Sequence, residues 1–378
     1  MRICYVYDAI YPWETGGVQK RVWEIARRLA DDHDVHWYGL KYWDGPATTE
    51  REGVTLHGVA EPPDLYMDDR RSIGEALSFT AALAGPLAGA EFDVIDCQEF
   101  PYFPAFASKL SSVLGEAALC LTWHEVWGDY WYEYLGRKGL FGKAVERAVA
   151  TLPDAHLAVS DRTKADLAGL GVADTYHVPN GIDQAQIASV APADRDVDVL
   201  FAGRFIPEKN PELLVEAIDD LRDRWPDVSC TLVGDGPRRE AVDEEIERRA
   251  LEGNVSTLDF REDYEDVLAL MQAAEVFVLP SRREGFGITA LEALACGTPV
   301  VTIDHPQNAA TELVDDETGA VTAETPAALA QGIERARSVD GDACVERASR
   351  YDWDRIAAQT EATYAAVADQ TVDREVTL

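Results

Sequence analysis

Lysine is nearly missing from this chain. Of 34 basic residues among 378, seven are lysine, set against 69 aspartates and glutamates, and the formal net charge is −35. A surface that acidic repels itself in dilute buffer, and salt screens the repulsion. The composition predicts a salt-adapted source, such as a halophilic archaeon, over a merely acidic mesophilic protein. It also argues against a nucleic-acid partner, because phosphate backbones are gripped by basic stripes.

Cysteine is sparse too. Cys4, Cys97, Cys120, Cys230, Cys296 and Cys344 include no pair at CxxC spacing. They read as small buried hydrophobes in a reducing compartment, not as a disulfide or zinc framework. No apolar run approaches the ~20 residues of a membrane span. The opening run Ile3–Tyr7 is too short for a signal peptide and reads as a strand. The expected location is the cytoplasm, with or without contact to the cytoplasmic membrane face.

The chain does have a repeated β–α rhythm. Residues 2–7, 34–38, 54–59, 93–96, 118–122, 155–159 and 175–178 are strand-like, with amphipathic stretches such as 18–30 and 137–150 between them. The rhythm restarts with strand-like 197–202, 228–233, 255–258, 276–279 and 299–302. Helical patterns sit at 210–222, 238–250, 264–273, 288–296 and 326–337. Alternation of this kind implies parallel sheets covered on both faces, hence two doubly wound, Rossmann-like α/β domains facing a cleft. Asn180-Gly181 and the Ala/Asp-rich stretch 184–196 read as a hinge turn and a linker. The expected domains are 1–183 and 184–353, then a last helix from 354 and a polar, frayed tail from about 369 to 378.

The most informative segment runs from Pro280 to Val301 and contains Glu284-Gly285-Phe286-Gly287-Ile288-Thr289, Glu292 and Gly297-Thr298-Pro299. A strand ends, a glycine loop turns and a helix begins. Free N–H groups at a helix start favour an anion, and glycines allow close backbone approach. Taken alone, Thr289-x-x-Glu292 is a capping box. A second segment, Phe201-Ala-Gly203-Arg204-Phe-Ile-Pro-Glu208-Lys209-Asn210, follows a strand and carries two cations suited to a diphosphate. Third is Gly234-Asp235-Gly236-Pro-Arg-Arg, a strand-to-helix turn.

In this setting the Glu284-x7-Glu292 spacing resembles the donor-sugar site of family 4 glycosyltransferases, which have the GT-B fold. The resemblance spans Gly16-Gly17 to Tyr351-Asp-Trp353, and its specific part lies in the second domain. It implies that Glu284 contacts the donor sugar and Glu292 the nucleotide ribose. Arg204 and Lys209 would stabilise the departing diphosphate. Gly203, Gly234, Gly236, Gly285, Phe286, Gly287 and Ile288 would line the nucleotide, and Gly16 and Gly17 would cover the phosphates. His124, after strand 118–122, would lie near donor and acceptor. The implied reaction moves a sugar from a nucleoside-diphosphate donor to a hydroxyl on a glycan or lipid-linked acceptor, with retention and with no cofactor. A GT-B epimerase, a phosphorylase and a non-catalytic nucleotide-sugar-binding module are the alternatives.

Three features stand apart. The family's Gly-Gly-x-x-Glu is replaced by Asn308-Ala309-Ala-Thr-Glu312, which leaves the sugar open; His305 and Gln307 would line the same pocket. The aromatic run Trp127, Tyr130, Trp131, Tyr132 and Tyr134 is followed by Arg137, Lys138, Lys143 and Arg147. Residues 127–147 either form core, shape the acceptor pocket or dock on an anionic lipid surface. Asp194/Asp196/Asp198 and Asp352/Asp354 have metal-binding spacing but read as solvated acids, and no metal is expected.

The charge imbalance makes a direct prediction. The midpoint of thermal unfolding rises between dilute buffer and molar KCl. An unchanged midpoint would favour the acidic-mesophile reading.

Overall fold

The structure, a computed structural model, describes residues 1–62, 66–67, 70–71, 73–195, 197–259 and 263–376. The chain forms two compact units, residues 1–180 with 353–378, and residues 181–352.

The first unit is built on β1 (Arg2–Val6), β2 (Asp34–Gly39), β3 (Thr48–Arg51), β4 (Val54–Gly58), the short pair β5 (Tyr66–Met67) and β6 (Arg70–Arg71), β7 (Val94–Gln98), β8 (Ala118–Trp123), β9 (Ala155–Ala158) and β10 (Thr175–His177). Eight of these form one sheet in the order β10-β9-β8-β7-β1-β2-β4-β3, parallel except for β3 against β4. Central strands read as unbroken apolar runs because helices cover both faces; Ile3 to Val6 are all buried. The helix Gly17–Leu29 turns Val22, Trp23, Ile25, Ala26 and Leu29 into the same core. The helix Trp353–Val376 packs along it, adding Trp353, Ile356, Ala357, Tyr364 and Val367 to that core. This last helix reaches Val376, so the frayed tail expected from about 369 is helical over most of its length.

The second unit holds β11 (Val197–Ala202), β12 (Cys230–Val233), β13 (Val255–Leu258), β14 (Ala274–Leu279), the short pair β15 (Arg283–Glu284) and β17 (Gln307–Asn308), β16 (Val300–Ile303) and β18 (Gly319–Thr322). Its six-stranded sheet is wholly parallel, ordered β13-β12-β11-β14-β16-β18.

Several local expectations are corrected. Part of the proposed linker is a helix, Gln184–Ser189, capped by the Asp183 side chain on the Gln186 amide. Neither Asn180 nor Gly181 has positive φ. Asn180 instead accepts from Arg21, whose buried guanidinium also donates to the carbonyls of Val178 and Pro179. The turn is thus set by a buried cation, not by tolerance of left-handed backbone. Asp198 is bonded rather than merely solvated, accepting from the amide and hydroxyl of Ser229 at 2.6 and 2.9 Å, whereas Asp354 is largely exposed and pairs with Arg28 at 2.6 Å. Asp196 lies outside the described residues. All six cysteines are free, and five are buried.

One polar group sits deep in the first core. Asp96 on β7 accepts from Thr122 on β8 at 2.8 Å and from the Tyr364 hydroxyl at 2.5 Å. The Tyr5 hydroxyl lies 3.2 Å from that of Tyr364. Burial pushes the Asp96 carboxyl up to about 6, against the pull of Tyr364, Thr122 and the Arg21 charge. Removing one donor from such a group leaves its share of the desolvation cost uncovered. Tyr364→Phe is therefore expected to destabilise the protein by about 1–3 kcal/mol in a urea titration, and a change within error would contradict the network.

Candidate functional site

In the second unit the sheet order reverses between β11 and β14. In open parallel sheets the loops leaving the carboxyl ends of such a strand pair diverge and leave a crevice. The loop after β11 carries Gly203, Arg204 and Lys209; the loop after β14 carries Ser281 and Glu284. They are laced together. The Arg282 amide donates to the Glu208 carbonyl at 2.8 Å. Lys209 forms an ion pair with Glu284, whose side chain is 10% exposed, and the buried Ser281 hydroxyl donates to the same carboxylate oxygen at 2.9 Å. A carboxylate so little hydrated is costly to hold without a matched cation. Arg204 is exposed and makes no ion pair or side-chain hydrogen bond with another described residue.

Glu284 is held from below as well. Arg283 and Glu284 pair in parallel with Gln307 and Asn308. Asn308 is buried; its amide nitrogen donates to Thr302 and to the Ile303 carbonyl, and its oxygen accepts from the Ala310 amide. The residues that depart from the family pattern therefore form the shelf under Glu284. Sequence reasoning missed Ser281 and Asn308 as positioning residues. The signal was a Ser three before the glutamate and an Asn two residues before the amide it caps.

The glycines differ in what they do. Gly287 caps the helix Ile288–Ala295 at φ 95°, and a side chain there would meet the Ala310 Cβ at 2.7 Å. No side chain caps this helix, which begins at Ile288 as its pattern predicts, so the alternative reading of Thr289 and Glu292 as a capping box does not hold. Glu292 is buried and accepts from the Tyr264 hydroxyl at 2.6 Å. Phe286 is also buried, packed edge-on to Tyr351. Gly234 has φ 145°, and a Cβ there would lie 1.9 Å from the Gly203 carbonyl oxygen; at Gly236 it would lie 2.6 Å from that of Phe205. The Phe205 amide donates to the Asp235 carbonyl and the Arg238 amide to that of Phe205. These two glycines are required by backbone packed on backbone.

Gly16, Gly17 and His124 belong to the first unit. Gly16 is extended and precedes the helix that starts at Gly17; both are exposed. His124 follows β8, and its Nε2 lies 2.9 Å from Gln98 Oε1. Gln98 Nε2 in turn faces Asp96 Oδ1 at 3.3 Å, which fixes the amide with its oxygen toward the imidazole. Nε2 therefore carries the proton and Nδ1 is left as an acceptor. Burial, aided by the Arg21 charge, lowers the His124 pKa to about 3. Next to it, Glu99 is buried with Oε2 unpartnered, and burial pushes its carboxyl up to about 8 against the backbone amides of His124 and Glu125. Gln98 and Glu99 were also missed, although they end a strand where polar residues are expected to matter.

The aromatic segment splits. Trp131 is buried, and Trp127 packs against it with Phe100 and Tyr134. Glu146 is buried, accepting from Tyr102 at 3.0 Å and from the amides of Trp127 and Gly128 at 2.7 and 3.0 Å. Tyr132, Leu140 and Phe141 are exposed.

Comparison with known proteins bears on both units. Residues 15–186 match the Glycosyltransferase Family 4 model, and residues 183–348 match Glycosyl transferases group 1. A phosphatidyl-myo-inositol mannosyltransferase of Mycobacterium tuberculosis is 30% identical over 75% of this chain and 76% of its own length. The chain belongs to glycosyltransferase family 4. A glycogen synthase of M. tuberculosis is 32% identical over 53% of this chain, a match that spans 50% of that relative's length. The chain thus spans about half of some curated relatives. The Anabaena protein HepE, solved with UDP, superposes with TM-score 0.75 at 20% identity, covering 97% of this chain and 100% of its own. The fold is that of GT-B enzymes, two Rossmann-like α/β units. Among the described residues no helix is long and apolar enough to cross a membrane.

The histidine of this family 4 chain yields a test. Its folded pKa is lowered below the unfolded value, so unfolded chains bind the extra proton. Its contribution to stability is full above about pH 6.5 and is lost as pH falls toward 3. The His124 ring signals in an NMR titration should stay those of a neutral imidazole down to about pH 5. Protonation near the ordinary histidine value would contradict the lowered pKa.

Proposed function

We propose that the protein transfers a sugar from a nucleoside-diphosphate donor to a hydroxyl of a glycan or lipid-linked acceptor, with retention and without a metal ion. The observation that carries this reading is the Lys209–Glu284 pair at the β11/β14 switch point, beside an Arg204 without an ion-pair partner among the described residues. HepE's complex with UDP, and a relative named for mannosyl transfer to a phosphatidylinositol, support the donor and acceptor classes.

In the proposed reaction the bond from the anomeric carbon to the diphosphate breaks. Positive charge grows on the sugar ring and negative charge on the departing phosphate. Arg204 and Lys209 take up that negative charge, a role filled by a divalent ion in metal-dependent transferases. The acceptor hydroxyl attacks on the face the diphosphate leaves, and its proton passes to the departing phosphate oxygen. No protein nucleophile is consumed. Glu284 holds the sugar hydroxyls, and binding of the diphosphate draws Lys209 partly away from it. Glu292 is assigned to the ribose, together with Gly285, Phe286, Gly287 and Ile288 as the backbone lining. His124, neutral and with Nδ1 free to accept, orients a donor hydroxyl. The acidic surface fits work in molar salt, and the free cysteines fit a reducing cytoplasm.

Nucleotide release from UDP-, GDP- and ADP-sugars in molar KCl tests this. Wild type should release one nucleotide preferentially. Glu284→Ala should lose release by at least about a hundredfold yet keep nucleoside-diphosphate binding, because Lys209 is freed from its partner. Lys209→Ala should weaken that binding about tenfold. Donor binding by wild type with no release, even with a mixed lipid extract as acceptor, would move a non-catalytic binding module ahead.

A further inference from the structure

The first unit bears an apolar face that its fold leaves uncovered. The helices Ile73–Ala88 and Pro104–Gly115 lie side by side, joined where the Ser111 hydroxyl donates to the Leu87 carbonyl at 2.9 Å. On them Leu77, Leu110, Val113 and Leu114 are 48–65% exposed. The face continues onto Leu140 and Phe141, 66% and 56% exposed, because Ile73, Phe103 and Phe141 line one shallow apolar pocket. Scattered exposed leucines are ordinary, but a contiguous group marks an interaction surface.

Charge is arranged to match. In a chain that is 27% charged, residues 76–90 carry no charged side chain and residues 100–115 carry only Lys109. At the edge beside Leu140, Arg137 and Lys138 are exposed, and neither makes an ion pair with another described residue. Two of the acids between 126 and 150 do not offset them. Glu146 is buried under the Trp127 turn, and Asp129 is taken by Lys143 at 2.5 Å. The local surface is therefore more positive than its composition.

We propose that this face docks on an anionic lipid bilayer, with the leucines and Phe141 entering the interface and Arg137 and Lys138 meeting the headgroups. A second copy fits less well. On a two-fold axis the exposed Arg137 and Lys138 would approach their own copies, whereas anionic headgroups would answer them. The proposal concerns attachment and stands whether or not the donor chemistry is as assigned.

The full chain is floated with vesicles of phosphatidylglycerol or of phosphatidylcholine, at the lowest KCl that keeps it folded. Wild type should float with phosphatidylglycerol. Leu110→Asp/Leu114→Asp and Leu140→Asp/Phe141→Asp should float at least about tenfold less. Arg137→Glu/Lys138→Glu should lose flotation and leave nucleotide binding unchanged. These positions are exposed, and unaltered circular dichroism melts confirm that the variants fold. Wild type failing to float, equal flotation with phosphatidylcholine, or variants that float like wild type each overturn the proposal. So does a lipid-free dimer that the same aspartates dissociate, which assigns the face to self-association.

Discussion

A parallel sheet covered by helices on both faces can show polar groups only where its strands end, and the carboxyl ends organise both units. The strands themselves carry almost no chemistry; Val199, Leu200 and Phe201 are fully buried and serve only to aim the loop at their carboxyl end. At the carboxyl edge of β11 and β14 the two loops part, and the Lys209–Glu284 pair ties them back together. In the first unit the corresponding edge holds Asp96, Gln98, Glu99 and His124, linked from a buried carboxylate to a neutral imidazole. Both arrangements use the same physics. A carboxylate withdrawn from water must be matched by donors, and the donors it recruits fix the geometry around it.

Much of this was legible in the residues. The alternation of apolar runs and amphipathic stretches locates most strands of both sheets, because a strand buried on two faces has to be apolar throughout. The strand Thr48–Arg51 was not legible, since an edge strand of Thr, Thr, Glu and Arg has no buried face to record. Gly319–Thr322 is too short to stand out. The helix Pro104–Gly115 is obscure for a different reason. Its outward face is as apolar as its inward one, so it lacks the contrast that marks an amphipathic helix.

The site was legible as motifs but not as contacts. Glu284, Arg204 and Lys209 are marked by their place after strands. That Lys209 answers Glu284 across 75 residues is a matter of sheet order, which spacing does not contain. The same holds for Asn308. A change from a glycine pair to Asn-Ala reads as a loss, yet the asparagine supplies hydrogen bonds that support the strand pair beneath Glu284. Thr289-x-x-Glu292 shows that a local pattern can suggest a contact the fold does not make. The pattern is a good capping box, but Gly287 can take φ 95° and begins the helix earlier, so Glu292 is released to meet Tyr264.

The packing of Gly234 and Gly236 against residues 203–205 has a consequence for how such a site can diversify. With the Gly203 carbonyl oxygen occupying the place of a side chain at 234, neither segment can change its backbone path unless the other changes with it. Inheritance must treat the pair as a single part. Single-step variation is left to side chains that point into open space, such as those of the exposed Asp304 and Pro306 beside the Glu284 shelf. Variation can accumulate there one residue at a time while the segments 203–205 and 234–236 stay locked to each other.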